Sequence, residues 1–329
     1  MNSLINLGWS SFFQNSVSEN DLAIFKLARV TEEQRSEYQI ISANGQFRAV
    51  ISGKLRFRVE NHCDFPTVGD WVLVRGIPEN KTISDDTIII EKVLPRKSLL
   101  TRKLVDGHTP DKMTADSQPI AANIDTVFIM SSLNRDFNPR RLERYISIVI
   151  NSKAVPVLIF SKADLCKEIQ GYISMLYNYV NDIDMHVISA VTGQGLENIS
   201  PYLKEGKTSV IIGSSGVGKS TLINSLMEFE EINVKRIRED DRGRHTTTVK
   251  SMYFLNSGGI IIDTPGLRGL QIADDSGNGT SKVFSDIEEL IQKCRFKNCT
   301  HKNEPGCAVR EALENKELEE ERYITVSYT

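Results

Sequence analysis

The chain has 329 residues, 40% of them hydrophobic and 25% charged, with a formal net charge of −3 at pH 7. That length exceeds what one core usually organises, so two or three domains are expected. No apolar run approaches the roughly 18 residues of a membrane span, the N-terminus MNSLINLGWSSFFQN lacks the basic and apolar regions of a secretory signal, and no global charge favours nucleic acid. The expectation is a cytoplasmic protein without membrane contact, monomeric, whose binding to any nucleic acid uses local patches.

Residues 1–25 carry scattered aromatics (Trp9, Phe12, Phe13, Phe25) with little periodicity, which predicts a partly ordered arm. From about Leu27 to Arg96 the pattern becomes short strand-like runs: LARV, YQIIS, GQFRAVI, LRFRV, DWVLVRG and TIIIEKV. Turns such as Ala43-Asn44-Gly45 and Val68-Gly69-Asp70 separate them. Such a series predicts a small all-β barrel, and a five-stranded oligonucleotide-binding (OB) barrel fits the length. The alternations Phe47-Arg48-Ala49-Val50 and Leu55-Arg56-Phe57-Arg58-Val59 put aromatic and basic side chains on neighbouring predicted strands. Stacking plus charge suits single-stranded RNA. The same alternation equally fits Phe47 and Phe57 in the core with Arg48, Arg56 and Arg58 on a solvated face.

Between Leu104 and Pro119 the stretch VDGHTPDKMTADSQ reads as a linker or mobile loop. Beyond it, apolar runs at Ile124–Ser131, Val155–Phe160, His186–Ser189, Ser209–Ile212 and Gly259–Ile262 alternate with helix-like segments such as Pro139–Ile150. That alternation predicts a mostly parallel sheet with helices on both faces. After VPVLIF comes Phe160-Ser161-Lys162-Ala163-Asp164-Leu165. A carboxylate such as Asp164 can accept both N1–H and N2–H of guanine, a donor pair adenine lacks, and the Lys162 stem can lie over the base. Ser189-Ala190, followed by Thr192-Gly193-Gln194-Gly195, resembles a loop that supports a purine.

The segment KTSVIIGSSGVGKSTLINSL, Lys207 to Leu226, holds Gly213-x-x-x-x-Gly218-Lys219-Ser220 between a β-branched run and a helical pattern. Its glycines let successive N–H groups face a polyphosphate. Lys219 can neutralise the β- and γ-phosphates, and Ser220 can offer a hydroxyl to Mg²⁺. A charged stretch from Glu228 to Arg242 leads to Gly243-Arg244-His245-Thr246-Thr247-Thr248. A threonine there can complete the metal shell while triphosphate is bound; Thr247 stands for that role, with Thr246 and Thr248 open beside it. Next, Ile260-Ile261-Ile262 runs into Asp263-Thr264-Pro265-Gly266. Asp263 can hold the Mg²⁺ hydration shell, and Gly266 can bring a backbone N–H to the γ-phosphate.

Of five cysteines, Cys63 and Cys166 stand alone as packing residues, while Cys294-x4-Cys299-x-His301-x5-Cys307 clusters. Three thiolates and one imidazole suffice for a closed, structural zinc site, which would organise a tail of roughly Ser281–Thr329 that could bury little core otherwise. Iron–sulfur ligation or free thiols are the alternatives. Helical patterns flank the cluster, with Val283, Phe284, Ile287, Leu290 and Ile291 before it and AVREALENKELEEERY after. Basic residues gather at Arg96, Lys97, Arg102 and Lys103, at Arg140, Arg141 and Arg144, and at Lys235, Arg236, Arg238, Arg242 and Arg244. These are either solvated surface or RNA contacts, the latter salt-sensitive.

Base-reading motifs first and phosphate motifs second is an order that resembles circularly permuted GTPases. With the barrel in front and the Cys/His cluster behind, the chain from about residue 27 to 310 resembles the bacterial small-subunit ribosome biogenesis GTPases. That resemblance implies an N-terminal arm and OB barrel over 1–100, a permuted GTPase domain over 101–275 and a helical zinc module over 276–329. It implies a ribosome-stimulated GTP hydrolase that binds rRNA, acts in late maturation of the 30S subunit and leaves after cleavage. GTP or GDP would be held by Ser161, Lys162, Ala163, Asp164, Ser189, Ala190, Gly213, Ser214, Ser215, Gly216, Val217, Gly218, Lys219, Ser220, Thr221, Asp263 and Gly266. Mg²⁺ would be held by Ser220, Thr247 and Asp263, and zinc by Cys294, Cys299, His301 and Cys307.

Two positions depart from common GTPase patterns. Ser161 stands where Asn is usual, which shortens or removes one bond to the base and leaves selectivity mainly to Asp164. Leu267 stands where many GTPases carry a water-orienting Gln, so His245 is the nearest catalytic candidate, the alternative being a histidine that packs against nucleotide or ribosome. Two other classes stay open: a phosphate-loop ATPase or kinase with no ribosomal role, and an RNA-binding regulator with negligible turnover.

Overall fold

The computed structural model describes residues 4–34, 37–78, 87–103, 117–133, 137–177, 182–229 and 250–264, and within the tail residues 287, 290, 291, 293–296, 299, 301, 304–315, 317, 318 and 323. The N-terminal arm is more ordered than its sequence suggests. It forms two short helices, α1 (Ser11–Gln14) and α2 (Glu19–Ile24), the second opened by Ser18, whose hydroxyl accepts from the Asp21 N–H. Leu7 and Phe13 are buried, and the Trp9 ring meets Trp71 edge-on at 4.8 Å. Long-range aromatic packing, invisible as local periodicity, fixes the arm against one end of the barrel.

That barrel closes from β1 (Lys26–Gln34), β2 (Glu37–Ser42), β3 (Gly45–Ile51), β4 (Trp71–Arg75) and β5 (Ile88–Val93), paired in the order β1–β2–β3–β5–β4 with β4 returning to β1. Alternate residues face inward, among them Ala28 and Val30, Tyr38 and Ile40, Val72 and Val74, Ile88 and Ile90. Of the segment Leu55–Val59, expected as a strand, Leu55–Arg58 is instead helical: α3 spans Gly53–Arg58, and Ser52 caps it by accepting from the Leu55 N–H at 3.0 Å. Leu55 packs on the barrel core, whereas Phe57 is 92% exposed. The aromatic and basic residues of β3 and α3 therefore do not lie on neighbouring strands.

A hairpin follows, β6 (Leu99–Lys103) with β7 (Ser117–Ala122). Residues 104–116 of the expected linker lie outside the described residues; 117–119 belong to β7. The second unit carries β8 (Thr126–Ser132), α4 (Pro139–Asn151), β9 (Val155–Ser161), α5 (Ile169–Tyr177), β10 (Met185–Val187), β11 (Thr208–Gly213), α6 (Lys219–Phe229), β12 (Lys250–Phe254) and β13 (Ile260–Asp263). The sheet order is β10–β9–β8–β11–β13–β12, parallel except for β12 against β13. Both faces are covered, so these strands read as continuous apolar runs. In β8, Val127 and Ile129 enter one core, while Phe128 and Met130 enter the other. Helix α4 starts at Asn138, which caps the Arg141 N–H ahead of Pro139, and it buries Leu142, Tyr145, Ile146 and Val149 at helical spacing. In the tail, α7 (Ala308–Glu314) packs Val309 and Ala312 onto that same core.

Barrel and sheet are joined through β1, which pairs Glu32 with Ser251 and Glu33 with Lys250 of β12. Arg29, 1% exposed, sits at this junction. Its guanidinium donates to the carbonyls of Leu7, Gly69 and Asn123 and to Thr208 Oγ1, tying the arm, the barrel and the start of β11 together. Among the described residues no helix is long and apolar enough to cross a membrane.

Candidate nucleotide and metal sites

From β8 the chain builds outward through β9 to β10, then returns to β11 beside β8 and proceeds the other way to β13. Strand order thus reverses between β8 and β11. In parallel α/β sheets the ligand crevice lies at such a reversal, beyond the carboxyl ends of the strands. Every described residue of the expected nucleotide site sits at these ends, in the loops leaving them or in the first turn of α6.

Gly213 ends β11 with φ 152°, and a Cβ there would lie 2.5 Å from the Met130 carbonyl oxygen. Only glycine lets β11 turn this close to β8. The loop continues through Ser214, Ser215, Gly216 and buried Val217 to Gly218, then enters α6, whose N-terminal N–H groups and dipole favour an anion. Lys219 folds back over the loop, its Nζ donating to the carbonyls of Gly213 and Ser214, each at 2.8 Å. Burial holds its ammonium below the usual lysine range, opposed by Asp263 at the end of β13. Asp263 in turn is pushed above the usual carboxylate range by burial, opposed by the charge of Lys219. A lysine and an aspartate, each part-desolvated and within electrostatic reach of the other, suit a ligand carrying both phosphate and a divalent cation. Ser220 and Thr221 are exposed at the start of α6, free of the core.

The elements expected to read the base converge on the same crevice. Ser161, 3% exposed, turns its hydroxyl to the carbonyl of Val217 at 2.7 Å and of Ser131 at 3.3 Å. It links β9 to the phosphate loop rather than pointing toward a base. Lys162 adopts the left-handed conformation (φ 61°) and donates from Nζ to the Gly216 carbonyl at 2.8 Å, laying its stem across the gap between the two motifs. Ala163 is anchored by its N–H to the Ile188 carbonyl. Exposed Asp164 is aimed by Ser189, whose hydroxyl donates to Oδ1 at 2.6 Å, and Ala190 is fixed through its carbonyl by Ser225 of α6. Ser225 was not foreseen, since nothing in a helical run marks a serine as a clamp. His245, Thr247 (with Thr246 and Thr248), Gly266 and Leu267 lie outside the described residues.

In the tail, the ligand atoms of Cys294, Cys299, His301 and Cys307 all lie within 4.8 Å of one another. Cys294 Sγ is 3.9 Å from Cys307 Sγ, and His301 Nδ1 is 3.6 and 3.4 Å from those two sulfurs. A tetrahedral ion with metal–sulfur bonds of about 2.3 Å and a metal–nitrogen bond of about 2.0 Å requires about 3.8 Å between sulfurs and about 3.5 Å from sulfur to nitrogen. The four side chains fit a tetrahedral metal ion.

The expected basic patch after the barrel is largely structural. Arg96 grips the fully buried Asp70 through Nε and a terminal nitrogen at 2.7 and 2.6 Å, Lys97 pairs with Asp125 at 2.8 Å, and Arg102 is bound to Gln118. Arg140 faces Glu143 at 3.6 Å. The cluster from Lys235 to Arg244 lies outside the described residues.

The model of the RsgA GTPase family matches residues 93–273, more than half of the chain. The chain belongs to the RsgA GTPase family. It is 42% identical, over 90% of its length and 82% of the relative's, to the small ribosomal subunit biogenesis GTPase RsgA 1 of Oceanobacillus iheyensis. The crystal structure of YjeQ from Thermotoga maritima resembles it with a TM-score of 0.62 at 27% identity, covering 92% of this chain and 96% of that one. YloQ, a circularly permuted GTPase, has the same fold, with a TM-score of 0.58 at 23% identity and 92% coverage of both chains. In this chain the glycine-rich loop after β11 follows β9 and β10 in sequence, although the sheet order sets β11 between β8 and β13.

Proposed function

We propose that this RsgA-family protein hydrolyses GTP as a switch on the small ribosomal subunit late in its maturation, with the subunit stimulating cleavage. The observation that carries the nucleotide reading is the meeting, at one strand-order reversal, of an Asp164 carboxylate held by Ser189 with the glycine-rich loop over which Lys219 folds, Asp263 standing at the end of the neighbouring strand. Asp164 reads the guanine edge, Lys162 covers the base, and Ser161, Ala163, Ser189 and Ala190 position those groups. The N–H groups of Gly213 to Thr221 cradle the phosphates, with Gly266 completing the γ-phosphate site. Ser220, Asp263 and Thr247 hold Mg²⁺, which supplies charge neutralisation at the phosphates when bound. His245 orients the attacking water, a task the aliphatic Leu267 cannot perform.

In this reading the units run over 1–100, 101–275 and 276–329, and the Cys₃His cluster holds one structural zinc. The protein works in the cytoplasm as a monomer whose partners are the small subunit and its rRNA. Asp164→Asn tests the base assignment. Replacing one carboxylate oxygen by NH₂ suits xanthine, which carries a carbonyl where guanine carries its amino group. The variant should lose GTP turnover by two or more orders of magnitude (a ratio in line with unpaired polar groups at a specificity site) and regain it with xanthosine triphosphate. Unchanged GTP preference would refute the assignment.

A further inference from the structure

Away from the nucleotide crevice, a cavity of about 290 Å³ opens where the barrel, α3 and β7 meet. Tyr38 forms part of its wall. This side chain is 4% exposed. Burial, reinforced by the nearby Glu33 carboxylate, pushes the phenol up to about 12, so it remains a donor at neutral pH. His62 and Phe65 line the same cavity with ring centroids 6.4 Å apart, and Arg56 of α3 brings a cation to its exposed side. Gln118 of β7 is oriented by Arg102, which donates to its carbonyl oxygen from two nitrogens at 2.9 and 2.6 Å. That leaves the Gln118 NH₂ as the end available to a ligand.

Two aromatic faces, a guanidinium and two fixed donors in a space of this size match a planar heterocycle with acceptors on its edge and a phosphate attached. We propose that this cavity takes one unstacked nucleotide of single-stranded RNA, with the base against His62 and Phe65, its edge on Tyr38 and Gln118, and its phosphate on Arg56. The proposal rests on the ribosomal reading for its RNA and adds the subsite. The cavity also touches the junction with β12. Glu33, on its wall, accepts from Lys250 Nζ at 3.0 Å, and Lys250 donates to the carbonyl of Pro119, another wall residue, at 2.7 Å. A nucleotide seated here lies against the clamp that fixes the first residue of β12, which stands two positions after Thr248 in the chain.

The test uses the full chain and two probes: a short single-stranded RNA bearing one 2-aminopurine, and 2-aminopurine riboside monophosphate. Stacking should quench the RNA probe saturably, and Tyr38→Phe and His62→Ala should each weaken its binding about tenfold, in line with the worth of one stacked or hydrogen-bonded base. Tyr38→Phe removes only a hydroxyl and keeps the packing of the barrel. If both variants bind the RNA as the parent does, the subsite is wrong. If the monophosphate binds as tightly as the RNA, the occupant is a free nucleotide and the RNA assignment falls. Stimulation of parent GTP turnover by small subunits, measured alongside, reports on the functional reading separately: its absence would overturn that reading while leaving the cavity result to stand.

Discussion

Replacing Ser161 by alanine separates two roles that its position could serve. The hydroxyl donates to Val217 at 2.7 Å, with Ser131 as a second acceptor at 3.3 Å, in a site where Ser161 itself is 3% exposed and Val217 is 1% exposed. Loss of one such bond costs about 1 kcal/mol net, and leaving a buried carbonyl unpaired raises this to about 1–3 kcal/mol. The loss falls on the phosphate loop, because Val217 belongs to it. If half of the cost is felt as loosening of the loop before the nucleotide binds, affinity falls about twofold to twelvefold. GTP and ATP should suffer alike, since the hydroxyl faces the loop and not the base. Displacement of a fluescent GDP analogue by each nucleotide, compared in parent and Ser161→Ala, gives both numbers. A collapse of the GTP-to-ATP preference with overall affinity intact would show that Ser161 reads the base, and the argument from its two carbonyl partners would be refuted.

Asp263→Asn should stabilise the nucleotide-free protein at pH 7. Burial raises the folded-state carboxyl above its unfolded value, so ionising it opposes folding, and that cost is fully present once pH exceeds the folded value. The variant should melt higher without nucleotide yet lose the tightening of GTP binding by Mg²⁺; a lower melting temperature would contradict the sign. Arg29→Met strips hydrogen bonds from three carbonyls and Thr208 at the junction of arm, barrel and sheet. It should cost about 3 kcal/mol or more in urea unfolding, and a loss below about 1 kcal/mol would mean that the junction repacks freely. Mercurial titration of the thiols should release one zinc per chain and expose the tail to protease while basal GTP turnover persists. Recovery of no metal from protein purified without chelator would remove zinc from the account.

Elements whose signals are local were legible in the sequence. The apolar runs of β8, β9 and β11 are buried on both faces, so their composition alone marks parallel strands. The phosphate loop and the Cys/His spacing likewise follow from chemistry that tolerates few substitutes. What failed to show was set by distant partners. Leu55-Arg56-Phe57-Arg58 alternates like a strand, but Ser52 caps a helix there and only Leu55 finds the barrel core. Trp9 and Phe13 lack periodicity because their partner, Trp71, lies on β4 far along the chain. Arg96 and Lys97 look like a free basic patch until Asp70 and Asp125 are brought against them. The Ser161 link to Val217 spans 56 positions and could not be read from either residue alone.

The central claim, a guanine-specific switch triggered by the small ribosomal subunit, is tested most directly by turnover of GTP and of ATP with and without purified small subunits at two salt concentrations. The account predicts strong stimulation of GTP cleavage alone, fading as salt rises because RNA contacts release counterions. Equal cleavage of both nucleotides, indifferent to subunits, would contradict it.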